Sequence, residues 1–160
     1  GKIHRESLKI GGRTPKKLEK EIDAAPNMDM SSYSSYMMHH KKFTTRKNPE
    51  TIHLIRLRVR DLGFTSPPTP TELFARAKEY GLELFPPETG PVYRLSHPDQ
   101  PMGDWFYVGM EAIPDSAGHP RVFYVRRDGH GLWLYSNWTR PEYQWYLDDA
   151  IVFRLGKSDS

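Results

Sequence analysis

A loop near the carboxyl end of the sequence carries four large aromatic side chains. Trp138, Tyr143, Trp145 and Tyr146 all fall within residues 136–149, a stretch that also contains a proline. Rings exposed on such a connector provide stacking surfaces for sugars, bases or peptide side chains. The pattern therefore predicts a binding surface. The alternative is that the loop folds back and its rings cover the core.

A row of arginines forms a second candidate surface. Arg56, Arg58 and Arg60 alternate with apolar residues, which is typical of a half-buried strand that displays its cations on one face. Residues 52–62 also fit a 3.6-residue period, so a helix is the alternative to the strand that we predict. Three neighbouring cations suit phosphate or acidic groups, although arginine rows also serve as edge protection.

Polar residues around a predicted turn form a third candidate site. Arg94, Asp99 and Gln100 surround this turn, and His97 lies two residues before Asp99. One interpretation is a network that stabilises the turn. The other is a hydrolase-like centre, which requires a deep pocket where His97 and Asp99 meet another carboxylate or histidine.

Motifs of common cofactor sites and catalytic centres are missing from the sequence. It contains no GxGxxG, GxxxxGK[ST], GxSxG or HExxH pattern. It also has no cysteine, which excludes disulfides, thiolate catalysis and cysteine-ligated metals. We therefore assign no catalytic residue, no metal ligand and no cofactor, and the sequence favours a protein that is not an enzyme.

The net charge of +3 is unevenly distributed. Residues 1–65 contain 14 Lys and Arg against 7 Asp and Glu, whereas residues 66–160 contain 9 against 13. The basic part favours an acidic protein or peptide partner, with nucleic acid as the alternative, although dispersed charges are also typical of solvated helices. No apolar run is long enough to cross a bilayer, and the lack of cysteine fits a soluble cytoplasmic protein.

Two helices are predicted before residue 47. Thr14-Pro15 is typical of a helix start, Pro26-Asn27 ends this helix, and Ser31 begins a second one. Their close spacing predicts an αα-hairpin over residues 1–47. The polar stretch 44–50 marks the boundary to an α+β domain over residues 48–160, and the two parts also fit a single compact unit.

A central helix and a run of short strands are predicted after this boundary. Thr69 or Thr71 caps a helix that runs to residue 80 and is ended by Gly81. The period then changes to two, which predicts strands at 82–85, 92–95, 105–113, 122–126, 132–136 and 151–155. The predicted fold class is α+β, with an N-terminal helical hairpin, a central helix and a C-terminal antiparallel sheet of five to six short strands, arranged as a meander or partial barrel.

Short phrases spread over about residues 14–155 resemble a family of uncharacterised bacterial proteins. They are Asp61-Leu-Gly-Phe64, Gly81-Leu-Glu-Leu84, Gly90-Pro91, Arg94-Leu95, Asp99-Gln-Pro101, Trp105, Gly109-Met110 and Gly131-Leu-Trp133. The resemblance implies a bacterial source, but no activity and no site residues.

The leading functional hypothesis is a non-catalytic binding or adaptor module that uses the aromatic loop and the basic face. Its alternatives are a single-stranded nucleic-acid-binding protein and a small hydrolase-like enzyme with a His/Asp site.

Overall fold

The computed structural model describes residues 4–156, which form a mixed sheet of nine strands with four helices. The strands are β1 (His4–Ile10), β2 (Met28–Met30), β3 (Glu50–Arg58), β4 (Leu82–Glu83), β5 (Trp105–Val108), β6 (Ile113–Pro114), β7 (Pro120–Asp128), β8 (Gly131–Trp138) and β9 (Ala150–Leu155). The helices are α1 (Pro15–Ala24), α2 (Ser32–His39), α3 (Pro70–Glu79) and α4 (Thr89–Ser96).

The sheet joins both ends of the chain. Its strand order is β1-β3-β9-β5-β7-β8-β2, with β4 paired to β9 and β6 paired to β7. The pairs β5–β9 and β2–β8 are parallel, and the other pairs are antiparallel. The strand β9 therefore lies in the middle of the sheet, between β3 and β5.

The predicted αα-hairpin over residues 1–47 is wrong. The strand β1 precedes α1, and β2 separates α1 from α2. The chain turns between α1 and β2 at Asn27, whose φ of 60° is left-handed and whose carbonyl accepts a hydrogen bond from the Leu132 amide. Residues 28–30 can then pair with β8, which is a contact with the far end of the chain that no local pattern reveals.

The predicted antiparallel sheet of five to six strands is also wrong, because the sheet has nine strands and is mixed. The predicted strand at 92–95 belongs instead to α4, which packs closely on β7: a Cβ added at Gly90 would lie 2.8 Å from the ring of Phe123. The predicted strand at 105–113 breaks after Val108. At Gly109 an added Cβ would lie 2.5 Å from the ring of Phe153, so glycine permits this close approach.

Helices cover both faces of the sheet. Phe123 of β7 points towards α4, and it meets Phe43 at 6.1 Å between ring centroids. Phe153 of β9 points to the opposite face and meets Phe74 of α3, also at 6.1 Å. The helices α1, α2 and α4 lie on the first face, whereas α3 and the loop that follows β8 lie on the second.

Two predicted elements near the middle of the chain are present. The helix predicted around residues 71–80 is α3, and Thr69 caps it by accepting a hydrogen bond from the Glu72 amide. The stretch 52–62 is a strand up to Arg58, and a 3₁₀ turn (Val59–Leu62) then ends it. Within residues 4–156, no helix has the length and apolar character needed to cross a membrane.

Candidate functional site

A cavity of about 700 Å³ opens on the α4 face of the sheet. Its floor is formed by β1, β3 and the start of β5, and its walls by the end of α4 and the loop that follows it. The side chains that line it are mostly polar, and they form two hydrogen-bonded arrays. The lining residues on which the site depends are His4, Glu6, Arg56, Arg58, Tyr93, His97, Asp99, Gln100, Asp104 and Asp148.

The first array is centred on the carboxylate of Glu6, which projects from β1. It accepts a hydrogen bond from the Tyr93 hydroxyl and lies 3.2 Å from His97 Nε2. The other ring nitrogen of His97, Nδ1, lies 3.1 Å from the carbonyl oxygen of Tyr93. The rings of Tyr93 and His97 stack at 3.9 Å. Because both nitrogens of His97 face acceptors, the geometry favours the imidazolium, which donates two hydrogen bonds.

The pKa values of this array follow from these contacts. Burial alone lowers the pKa of His97, but its hydrogen bonds to Glu6 and to the Tyr93 carbonyl outweigh burial and raise it above 6.5. Burial alone raises the pKa of Glu6, but hydrogen bonds from His97 and Tyr93 bring it below 4.5. Burial, followed by the neighbouring Glu6, raises the pKa of Tyr93 and keeps its hydroxyl protonated. Both pKa shifts favour the ion pair of Glu6 with His97 over the neutral pair.

The Glu6–His97 pair is expected to make stability depend on pH. The stabilisation that His97 provides is complete below pH 6.5 and is lost as pH rises through its raised pKa. The stabilisation that Glu6 provides is lost as pH falls through its lowered pKa. His97→Gln should therefore flatten the decline in the free energy of unfolding above about pH 6.5, as measured by urea melts. His53→Gln, at an exposed position on the other face of β3, is the control. An unchanged slope in His97→Gln would contradict the proposed pair.

The second array links the cavity to the core. The guanidinium of Arg56 donates to both carboxylate oxygens of Asp104, at 2.6 and 3.1 Å. Gln100 Nε2 also donates to Asp104, at 3.0 Å, and Gln100 Oε1 accepts from Arg94 at 2.7 Å. Burial alone raises the pKa of Asp104, but the hydrogen bonds from Arg56 and Gln100 lower it below its usual value. The array therefore runs without a break from Arg56 at the cavity to Arg94 beneath it.

Arg94 is fully buried. Besides Gln100, it donates to the carbonyl oxygens of His97, Arg126 and Trp133, at 2.8, 3.1 and 3.3 Å. Burial, followed by the nearby charge of Arg127, lowers its pKa to about 10, which leaves it charged at neutral pH. Arg94 therefore fixes the end of α4 to β7 and β8, and with it one wall of the cavity.

The three arginines predicted as a row have different surroundings. Arg56 and Arg58 line the cavity, while Arg60 lies in the 3₁₀ turn and donates to Asp148 at 2.8 Å. Arg58 lies 3.8 Å from both Asp61 and Asp148, beyond hydrogen-bond distance.

The four rings predicted as a loop surface also separate. Trp145 is fully buried and lies edge-on to Tyr107 and Tyr143, at 4.8 and 5.4 Å between centroids. Tyr146 is 71% exposed, and Trp138 is 39% exposed and stacks on His119 at 3.9 Å. Tyr143 and Trp145 lie with Tyr107 on the face of the sheet opposite the cavity, whereas Trp138 belongs to β8. A binding role for these rings stays a prediction, and the geometry offers Tyr146 and Trp138 for it.

The predicted polar turn lies at the cavity. Arg94, Asp99 and Gln100 are close together, with Gln100 in the second array and Asp99 on the cavity lining. Sequence reasoning singled out neither Glu6 nor Tyr93, although both are central to the first array. Glu6 and His97 are 91 positions apart, and no spacing rule connects them.

Comparison with known proteins adds no assignment: no family model, no curated protein and no solved structure matches the chain. Within residues 4–156, no group of three or more His, Asp or Glu side chains is placed to hold a metal ion.

Proposed function

We propose that this protein is a non-catalytic binding module that holds a small polar ligand in the cavity. The observation that carries the proposal is the cavity itself, whose volume of about 700 Å³ lies within the range of small-molecule sites. Its polar groups converge on one space from β1, β3, α4 and the loop after α4. A ligand with several hydrogen-bonding groups would satisfy them together.

The fixed orientation of the lining supports a binding role. Glu6 is held by Tyr93 and His97, and Asp104 is held by Arg56 and Gln100. Side chains that are already ordered lose little conformational entropy when a ligand arrives, so more of the interaction energy appears as affinity. The same contacts argue against Glu6, His97 and Asp104 as general bases, because a general base needs a free nitrogen or oxygen facing the substrate.

A hydrolase-like enzyme is the second candidate. The observation in its favour is that one cavity gathers His97 and Asp99 with the carboxylates of Glu6 and Asp104. This candidate requires His97 to give up its contact with Glu6, so that Nε2 becomes free to take a proton. It predicts turnover of ester or glycoside substrates that is lost in His97→Gln, whereas the binding proposal predicts no turnover by the wild type.

A ligand screen tests the proposal. We expect a library of small polar metabolites to yield compounds that shift the amide NMR signals of β1, β3 and the end of α4. Ala150→Trp should abolish these shifts, because Ala150 lines the cavity and a large ring would fill it. Ala117→Trp, in an exposed turn, is the matched control, and thermal melts check the folding of both variants. Compounds that shift only other regions, or a screen with no hit, would refute the proposal.

A further inference from the structure

We infer that the ligand of the cavity is bipolar, with a carboxylate bound by Arg58 and an ammonium group bound by Asp99, and that a short peptide with free termini has this chemistry. The inference rests on the proposed function and specifies its ligand. It comes from the charged groups of the cavity that the protein leaves without hydrogen bonds.

Arg58 is a cation with unused donors. Among residues 4–156 its guanidinium donates no hydrogen bond, and its Nε is buried without a partner. Arg56, two residues earlier on the same face of β3, donates three hydrogen bonds of 2.6–3.1 Å. Asp148 is a weak competitor for Arg58, since Arg60 already holds it at 2.7 Å. A guanidinium with free parallel donors suits a carboxylate, which accepts two hydrogen bonds from such a fork.

Asp99 is the corresponding anion. It lines the cavity, and within the described part of the chain its carboxylate makes neither a hydrogen bond nor an ion pair. The other carboxylates that line the cavity are engaged: Glu6 by His97, Asp104 by Arg56, and Asp148 by Arg60. The cavity thus presents one carboxylate without a partner and one guanidinium that donates no hydrogen bond, although Asp61 and Asp148 lie 3.8 Å from it.

The two groups reach the cavity from different elements, Arg58 from β3 and Asp99 from the loop that follows α4. Glu6 pairs with Leu54 across β1 and β3, and it contacts His97, two residues before Asp99. Arg58 lies four residues beyond Leu54 along β3. A strand rises about 3.3 Å per residue, so the cavity floor from Leu54, opposite Glu6, to Arg58 is roughly 13 Å long. An extended chain spans at most about 3.3–3.6 Å per residue, so a peptide of about four residues matches the length of this floor.

The charges also match. A peptide with free termini carries one anionic and one cationic group, and each would meet the group of opposite sign, Arg58 or Asp99. An oxyanion alone would leave Asp99 without a partner, and an amine alone would leave the hydrogen-bond donors of Arg58 unused. The polar arrays between the ends would face the peptide groups of the ligand.

Peptides with blocked termini test the inference without altering the protein. We expect tetraglycine to bind in calorimetry and to shift the amide NMR signals of the cavity. Amidation of its carboxyl terminus and acetylation of its amino terminus should each weaken binding by about tenfold or more, because each removes a charged hydrogen-bonding partner.

Protein variants then test which residue binds each terminus of the peptide. In Arg58→Gln the amidated and free peptides should bind equally weakly, and in Asp99→Asn the acetylated and free peptides should do so. Arg140→Gln and Asp23→Asn are matched controls, since both positions are exposed and neither lines the cavity. If Arg58→Gln does not fold, Arg58→Lys replaces it, and this change should still weaken the free peptide because lysine cannot form the bidentate contact.

The outcomes separate this inference from the proposed function. Screen compounds that bind in the cavity while tetraglycine does not, or equal affinity for blocked and free peptides, would overturn the bipolar ligand and leave the binding module intact. A cavity that binds neither peptides nor screen compounds would overturn both.

Discussion

Replacing Arg94 with methionine is expected to lower the free energy of unfolding by about 3 kcal/mol. Arg94 is fully buried, and its guanidinium donates to Gln100 Oε1 and to the carbonyl oxygens of His97, Arg126 and Trp133. Methionine fills similar space but has no donor, so these acceptors lose a partner away from water. The stability lost with these hydrogen bonds should exceed the stability gained by removing a buried charge. Urea unfolding would measure the difference, provided that the dependence of the unfolding free energy on urea concentration is the same in both proteins.

Arg126→Met is the control for this variant. The side chain of Arg126 is 47% exposed, and its carboxylate partner, Asp128, lies 3.5 Å away near the surface. Such a change is expected to alter stability by no more than about 0.5 kcal/mol. A loss below about 1 kcal/mol in Arg94→Met would mean that the hydrogen bonds of Arg94 only offset the cost of burying its charge.

Replacing Trp145 with alanine is expected to cost about 3–5 kcal/mol of stability, as is usual for large aromatic side chains in a core. Trp145 is fully buried against Tyr107 and Tyr143, and its backbone amide donates to the Pro68 carbonyl at 2.8 Å. Truncation would leave a cavity beneath the loop. Thermal and urea unfolding would both report the loss.

Tyr146→Ala is the matched control, because this adjacent ring is 71% exposed. Its effect on stability should stay within about 0.5 kcal/mol. Similar losses for Trp145→Ala and Tyr146→Ala would show that the loop does not pack as described. Any test of the loop as a binding surface should use Tyr146 and Trp138, since a change at Trp145 would confuse binding with unfolding.

The elements that could be predicted are those whose caps and turn residues lie within a few positions of one another in the sequence. The helix α3 begins at Thr69-Pro70, where the cap and the proline act within one turn. The hairpin of β7 and β8 turns at Asp128-Gly129, and its two strands pair residue by residue from there. These elements depend on residues that are adjacent in the sequence, so a pattern of a few residues was enough to predict them.

The missed elements depend on distant contacts. The helix α4 contains Val92 and Tyr93, which favour strands, and its N-cap residue Glu88 accepts hydrogen bonds from the amides of Gly11 and Arg46 instead of capping its own helix. The strand β2 is three residues long and exists through its pairing with β8. Tertiary contacts of this kind outweigh local propensity.

The sequence predicted individual residues of the candidate site, but not that they lie together. The sequence indicated Arg56, Arg58, Arg94, Asp99 and Gln100 as polar residues of interest, but as two separate surfaces. The sheet register brings them to one cavity, with Arg56 and Asp104 meeting across 48 positions of sequence. Since register depends on the whole sheet, the meeting of the two surfaces could not be deduced from either one.

The position of β9 has a consequence for how the chain acquires its structure. The strand β9 separates β3 from β5 in the sheet, yet it follows both of them in sequence, after β6, β7 and β8. Until residues 150–155 leave the ribosome, β3 and β5 have no common neighbour, and the two halves of the sheet cannot be joined. Contacts of such high sequence separation slow folding. We therefore expect the sheet of the nascent chain to remain open, and to need protection from aggregation, until β9 inserts.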